Sequence, residues 1–445
     1  VIFILILNPR GGLNMPQLEN ARPSGFARIL RRRNSGGIVF CTVRWSGKEE
    51  QLMCEKDTTA VFETLSSCPI GSLVAFEGEW AYSRRGTLSI RVTSLLLHTD
   101  CRRELPDTHK MRSSVRYANR TTDLIINQEV FDFFRFMARS VMGLRTELSR
   151  RGYLEFITGT LQEEFEAGLA TSFSTQAAFN RHTYHLSLTS ELKLKRLIMA
   201  GMEHVFEIAQ TFRNEGANAI CSPEHTLLEA YSVGKRCSDM MGLVETLVLG
   251  VATELAPDAK VTFVDKRGEK HRIDFASKFE CISFSQAYSL YVEGDRPCTL
   301  ERLIELFPRM FVPGMPRYTW LMKVIETLLA PHMVQPTFLC DLPNGMSPFV
   351  QVKREDPQVS DRAFFMAGGL FLADIYTDEN NRENLNKALA KQSGGKESKN
   401  PESFINLLGY GMPPTAGFGL GLRRLFLLFR GTLPFNIKET ILYPL

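Results

Sequence analysis

The sequence predicts an α+β protein in two parts: a small β-barrel in front, then a larger domain that combines helices with an antiparallel hairpin. Three observations predict it. The 445 residues exceed what one ordinary core holds, so at least two domains are expected. The front of the chain consists of short β-rich runs separated by turns, whereas later segments show helical spacing. Charge is divided the same way. Residues 1–120 hold 18 Lys+Arg and 11 Asp+Glu, a balance of +7, and the remainder holds 35 and 38, a balance of −3.

Hydrophobic residues make up 44% and charged residues 23%, which excludes a disordered, collagenous or coiled-coil chain as a global description. No run of about 18 apolar residues exists, so no membrane span is expected. The basic front suggests a polyanion as partner, the alternative being a solvated basic face. The nine cysteines (Cys41, Cys54, Cys68, Cys101, Cys221, Cys237, Cys281, Cys298 and Cys340) form no CxxC pair. Zinc is therefore not expected, and reduced thiols in an intracellular compartment are. That compartment is read as cytoplasmic. The chain starts at Val1 and its first methionine is Met15; residues 1–7 lack the basic flank of a secretory signal. Arg22, Arg28 and Arg31 to Arg33 are transit-like, which keeps a mitochondrial address as the alternative.

Each element follows from its pattern. In residues 24–103, GFARIL and IVFCTVRW are split by Asn34-Ser35-Gly36-Gly37, and LVAFEGEWAYS and TLSIRVTSLLL by Arg84-Arg85-Gly86. A short helix is expected near residues 58–65. Short strands at this spacing, with one helix and a basic balance, predict a five-stranded OB-fold barrel, which binds single-stranded nucleic acid on aromatic and basic side chains. A barrel used for protein packing is the alternative. Residues 101–127 are polar and read as an irregular linker, with the hinge proper at 104–127. Val130, Phe133, Phe134, Met137, Val141, Leu144 and Leu148 then recur at helical spacing, up to the stop at Arg150-Arg151-Gly152. HVFEIAQTFRNE and EHTLLEAYSV form a hairpin around a loop at residues 216–223. Residues 380–402 read as a polar surface excursion. GFGLG is a strand that runs into an apolar helix, LRRLFLLF.

Two small constellations carry chemistry. Arg213 and Glu215, two apart on a strand, share one face. Such a pair can hold an α-phosphate and orient an amine, or it is a surface salt bridge. Gly417, Gly419 and Gly421 clear one face of a strand for a flat ligand, and Arg424 stands at the following helix start, where an anion is well placed. Packing glycines are the alternative reading.

The order of these features, with longer stretches between them, resembles the class II aminoacyl-tRNA synthetases and within them the lysine–tRNA ligase family. LPDTHKMRSSVRYANRTTDLIINQEV looks like that family's hinge and RGYLEF like its motif 1, the dimer motif. TSELKLKRLIMAGMEHVFEIAQTFRNEG with PEHTLLEAY resembles motif 2. PTFLCDLPNGMSP and YGMPPTAGFGLGLRRL resemble the late core and motif 3. The resemblance runs over residues 24–445 and implies an anticodon-binding barrel at 24–103 and a catalytic domain at 128–445 built as an antiparallel sheet flanked by helices, leaving an unassigned extension at 1–23.

The resemblance implies ATP-dependent attachment of lysine to its tRNA through a lysyl-adenylate, in a homodimer with no membrane role. Carried over by position, Arg213 binds the α-phosphate and Arg424 the γ-phosphate, and both serve catalysis with Glu215. His225 stacks on adenine, and Gly419 and Gly421 complete the ATP site. Glu191, Glu229, Tyr231, Tyr376 and Asp378 bind lysine; acidic groups with aromatic flanks suit an ammonium ion. Arg33, Phe40 and Gln51 read the anticodon, Phe40 by stacking.

The sequence departs from the family's pattern at several of these positions. Aligned without a gap, the two magnesium-binding glutamates are Phe364 and Phe371, which offer a hard cation no oxygen. A family Asn is Asp374, a candidate metal ligand, and a pocket Glu is shortened to Asp378; in a working ligase Asp374, Asp378 or shifted waters would hold the metal, unless the register here is off by a residue. Ile220-Cys221 replaces Arg-His, His225 replaces Phe, Arg423 replaces Asp and Gly159 replaces the motif 1 Pro. Mg2+ is thus implied by the family while its usual ligands are absent. Two functions remain open: a divergent ligase, and a catalytically impaired pseudo-synthetase that binds tRNA or a partner without efficient lysine activation. An aspartate or asparagine ligase would need a cationic pocket where this chain has Glu229 and Asp378.

Overall fold

The computed structural model describes residues 22–106, 111–163, 171–264, 269–393, 401–431 and 435–444. The expectations for residues 1–7 and Met15, and part of those for the hinge and for residues 380–402, fall outside this set. The chain forms two compact units, one running to Phe133 and including the last three residues, the other Phe134–Leu442.

In the first unit, β1 (Ser24–Ser35), β2 (Ile38–Trp45), β3 (Lys48–Glu55), β4 (Leu73–Tyr82) and β5 (Leu88–Thr99) close a barrel in the order β1-β2-β3-β5-β4. Helix α1 (Thr59–Ser67) buries Val61 and Leu65. Alternation fills the interior: Ala27, Ile29, Val39, Cys41, Val43, Leu52, Val74 and Ile90 are all at most 1% exposed. The barrel is of OB type, as the turn spacing predicts. Strand β3, KEEQLMCE, escapes the pattern reading because its first four residues are polar.

The expected irregular linker instead folds after residue 112 into α2 (Ser113–Ala118) and α3 (Arg120–Ile126). The carboxylate of Asp123 accounts for this. It is 2.8 Å from Arg120 Nη1 and 2.9 Å from Arg116 Nε, and Asp123 and Arg120 are both buried. A buried charge is tolerated when paired in this way.

Helix α4 (Gln128–Arg150) ends where the basic last turn and Gly152, at φ +86, predict. Its buried stripe is Val130, Phe133, Phe136, Ser140, Leu144 and Leu148. Phe136, absent from the expected stripe, meets Phe426 and Phe429 edge-on at 6.0 and 6.1 Å. Phe134, Met137 and Val141 are less deeply buried.

The second unit is built on an eight-stranded sheet. Along the chain come β6 (Leu154–Glu155), then β7 (Leu161–Gln162), β8 (Ser174–Gln176) and β9 (Thr183–Leu186), which form a small separate sheet. Helix α5 (Glu191–Met199) precedes β10 (His204–Phe212) and β11 (Glu224–Val233), and α6 (Cys237–Leu255) follows. Strands β12 (Lys260–Val264) and β13 (Lys270–Asp274) pair with each other. Next are β14 (Glu280–Ser283), α7 (Phe284–Tyr288), α8 (Leu300–Leu306), α9 (Arg317–Lys323), β15 (Thr337–Cys340), β16 (Arg362–Ala367) and β17 (Leu370–Thr377). The chain continues with α10 (Arg382–Ser393), α11 (Glu402–Leu407), β18 (Thr415–Gly421) and α12 (Leu422–Arg430). The large sheet has the order β14-β15-β16-β17-β18-β11-β10-β6. Its interior pairings are antiparallel, whereas β14–β15 and β10–β6 at the edges are parallel, so the sheet is mixed.

Residues 380–402 are not simply a polar excursion. Leu385 and Leu389, four apart in α10, are 0% and 5% exposed and join a core with Phe404 and Ile405 of α11. Two leucines among polar residues are enough to dock a helix. Arg213 and Glu215 also differ from expectation: β10 ends at Phe212, so the pair lies just beyond the strand. Asn214 N–H donates to Thr171 O rather than continuing the hairpin ladder.

Candidate active site

The sheet register lays two rows of side chains across one face. One row is Phe364, Asp374, Gly419, Glu229 and Glu207, on β16, β17, β18, β11 and β10. The next is Arg362, Tyr376, Gly417, Tyr231 and Val205. A glycine stands at the middle of each, so the sheet is hollow there while walls rise on both sides. The two glycines do different work. A Cβ on Gly417 would fall 2.1 Å from the Tyr231 ring, so Gly417 makes room for a side chain of the protein itself. At Gly419 the nearest atom would be Glu229 Oε1 at 3.7 Å, and Gly419 and Gly421 border a cavity of about 470 Å3.

That cavity collects most of the residues singled out from the sequence: Arg213, Glu215, His225, Glu191, Glu229, Tyr376, Asp374 and Arg424. Tyr231 and Asp378 are not on its surface. They are 0% and 1% exposed and lie behind it. Arg33, Phe40 and Gln51 belong to the barrel. There Arg33 pairs with Phe40 across β1 and β2, its guanidinium 5.1 Å from the ring centre, and Gln51 on β3 faces Thr42, two residues along from Phe40. Paired residues share a face and alternate residues return to it. All three therefore lie on the outer face, opposite the buried Val39, Cys41 and Val43.

The β10–β11 side of the cavity is ionic. Arg213 Nε is buried and finds no hydrogen-bond partner among the described residues. The loop before β11 anchors Arg424, which donates to Ile220 O at 3.3 Å and Cys221 Sγ at 3.0 Å, and also to Phe371 O at 3.2 Å. Arg423 grips Glu224 through its carbonyl at 2.5 Å and its carboxylate at 3.0 Å. His225 is half-buried. Burial, followed by the charges of Arg213, Arg424 and Arg423, pulls its pKa down to about 4, so it presents a neutral ring. Glu229 accepts hydrogen bonds from Thr189 Oγ1 and Ser190 N, both at 2.5 Å. Burial nonetheless raises its pKa to about 7, against the pull of those donors.

The β16–β17 side is apolar at its surface. Phe364 and Phe371 pack with ring centres 4.6 Å apart. A bulge in the pairing, after Phe365, brings Phe371 opposite Met366 and onto the cavity face. Phe364 is 1% exposed and belongs to a core with Leu321, Ile325 and Met346, so the helices after β14 cover it from behind. Asp374 is committed: Arg362 holds both its oxygens, at 2.8 and 2.6 Å, while stacking over Phe364 at 4.8 Å. Among the described residues no group of three or more His, Cys, Asp or Glu is placed to hold a metal ion.

Gly159 has φ +84, a conformation closed to proline, whose φ is locked near −65°. Its carbonyl accepts from Lys193 Nζ at 2.6 Å. Sequence reasoning missed three groups. Arg362 secures Asp374, and Thr189 with Ser190 holds Glu229. Lys195 pairs with Glu191 at 2.6 Å and Asp378 at 2.5 Å. The i,i+4 spacing of Glu191 and Lys195 on a helix was the available signal for the last.

Residues 112–445 match the family model described as tRNA synthetases class II (D, K and N). A lysine–tRNA ligase of Moorella thermoacetica is 30% identical over 443 residues, covering 96% of this chain and 89% of that protein. One of Dehalococcoides mccartyi is 31% identical over 436 residues (94% and 86%), and one of Thermoanaerobacter pseudethanolicus 31% over 432 (94% and 85%). A matched stretch this long, lying over the very sheet, hairpin and glycine strand that build the cavity, means that the chain belongs to the class II tRNA synthetases of the D, K and N group.

Proposed function

We propose that this chain joins lysine to its tRNA at the expense of ATP, through a lysyl-adenylate. The observation that carries the reading is the gathering of Arg213, Arg424, Glu191, Glu229 and Tyr376 around one cavity, whose lining thus offers cations to phosphates and carboxylates to an amine. In the first step a lysine carboxylate oxygen attacks the α-phosphorus. The bond to the bridging oxygen breaks, and pyrophosphate leaves with that electron pair. In the second, a hydroxyl of the tRNA 3′-terminal ribose attacks the carbonyl carbon and AMP leaves. Both steps rest on positioning and charge stabilisation. Arg213, with a free Nε, holds the α-phosphate as charge builds there, and Arg424 holds the γ-phosphate. The neutral His225 ring stacks on adenine, over backbone cleared by Gly419 and Gly421. Glu191 and Glu215 orient the amine, and Glu229, Tyr231, Tyr376 and Asp378 form the side-chain pocket.

The residues present do not fit the magnesium ion that the family typically uses. Phe364 and Phe371 carry no ligand oxygen, and Asp374 is tied to Arg362.

The remaining assignments follow the same reading. Residues 24–103 are the anticodon-binding domain, with Arg33, Phe40 and Gln51 as its contacts, 104–127 the hinge and 128–445 the catalytic domain. The molecule is a homodimer, supported by the exposed apolar residues Leu154, Ile157 and Leu161 at 54%, 94% and 57%; its solution mass tests this. Nine unpaired cysteines suit the cytoplasm. No helix among the described residues is long and apolar enough to cross a membrane.

The deciding experiment is lysine-dependent ATP–pyrophosphate exchange, run beside tRNA binding. Exchange that needs lysine is the expected result, with tRNA affinity lowered by Arg33→Ala. No exchange with tRNA binding intact would overturn the ligase and leave a tRNA-binding pseudo-synthetase. An unaltered affinity in Arg33→Ala would remove the anticodon contact.

A further inference from the structure

Lys195 lies in α5 with its side chain 2% exposed. Its Nζ is 2.6 Å from Glu191 Oε1 and 2.5 Å from Asp378 Oδ1. Three rings surround the same nitrogen, Tyr376 at 5.3 Å and Tyr231 and Phe349 at 5.4 Å. Two carboxylates and several aromatic faces are what an ammonium ion needs once it leaves water. Burial works against the charge on Lys195, and Asp378 and Glu191 more than offset it, holding the lysine pKa above its usual value. Asp378, Tyr231 and Tyr376 are among the groups assigned above to the side chain of the amino-acid substrate, and Glu191 is assigned to its amine. The protein fills that environment with a lysine of its own.

We propose that Lys195 is a tethered occupant of the ammonium subsite, with which the cationic end of a free amino acid must compete for Asp378. This deepens the lysine reading above and rests on it. Glu191, Glu229 and Tyr376 border the cavity, so an incoming side chain meets them first. Asp378 is 1% exposed and does not border it. An entering ammonium reaches that carboxylate only if Lys195 gives it up, because two cations crowded against one buried anion repel strongly. Lys195 therefore sets how much the site gains from a charged side-chain end compared with an apolar end of the same length. It is a specificity-determining residue, and it acts through Asp378.

The experiment is calorimetric titration of wild type and Lys195→Met with lysine and with norleucine, which has a methyl group in place of the terminal ammonium. Methionine keeps most of the length of Lys195 and removes its charge. The lysine-to-norleucine affinity ratio is expected to rise by about tenfold or more in the variant. A smaller rise, an unchanged ratio or a fall overturns the proposal. A merely structural Lys195 would weaken both ligands together and leave the ratio alone. If circular dichroism finds Lys195→Met unfolded, wild type alone decides: a lysine preference below about tenfold supports the tethered occupant, and a larger one overturns it. The ligase reading is scored separately. Exchange by wild type at saturating lysine sustains it whichever way the ratio falls, and absence of exchange removes it.

Discussion

The two walls of the cavity differ in kind although one sheet supports both. The β10–β11 wall is open and charged. Among the described residues Arg213 keeps a buried nitrogen without a partner, and Arg424 is held by backbone and sulfur. The β16–β17 wall is closed. Its aromatic pair is continuous with a hydrophobic core, and its charged residues Arg362 and Asp374 neutralise each other. Arg213 and Arg424, which the proposed function assigns to the phosphates, thus stand on one wall, and the other is apolar at its surface.

If that contrast holds, the largest loss belongs to the open wall. Arg213→Ala should lower kcat/KM for pyrophosphate exchange by about 100-fold to 1000-fold, the scale seen when one preorganised donor is removed from a developing charge. A loss below about tenfold would show that Arg213 does not face the reacting phosphate. Its fold should survive, because no hydrogen bond to Arg213 Nε is given up.

The closed wall sharpens the contrast from the other side. ATP affinity, measured by titration in excess Mg2+ and again in chelator, should agree within about threefold, because Phe364 and Phe371 present no oxygen and Asp374 is occupied. Metal-dependent tightening of tenfold or more would mean that Asp374 leaves Arg362 and takes up a cation, and the two walls would then be alike.

These differences were unequally legible in the sequence. The glycine strand and the hairpin could be read from the sequence, since alternation and turns are local signals. What escaped was set by burial and pairing that only the folded chain supplies. Helices α2 and α3 depend on an ion pair that only the fold buries. Strand β3 hides its alternation behind Lys48, Glu49, Glu50 and Gln51, which pair in register with Trp45, Arg44, Val43 and Thr42 of β2. The bulge that turns Phe371 into the cavity is a property of pairing between β16 and β17. Asp378 looked like an open carboxylate until its neighbour across the fold, Lys195, was in view.

The smallest effect tests the electrostatics that distinguish the open wall. Glu229 has a folded pKa of about 7 against 4.5, raised by burial. The stability its protonated form contributes is complete below about pH 4.5 and is lost as pH rises through about 7, up to about 3 kcal/mol. His225 runs the other way. Its folded pKa of about 4 against 6.5 gives a contribution complete above about pH 6.5 and lost as pH falls through about 4. Between about pH 4.5 and 6.5 the two slopes oppose, so wild-type stability should vary little there on their account. Glu229→Gln keeps an acceptor for Thr189 and Ser190 and removes one slope. Its Tm should climb with pH across that window, where the wild-type curve stays flatter, and the gap should widen up to about pH 7. Calorimetric scans at four or so pH values are enough to see it. Parallel profiles would show that Glu229 is ionised throughout, and its carboxylate would then carry a full charge ready for an ammonium ion before any ligand arrives.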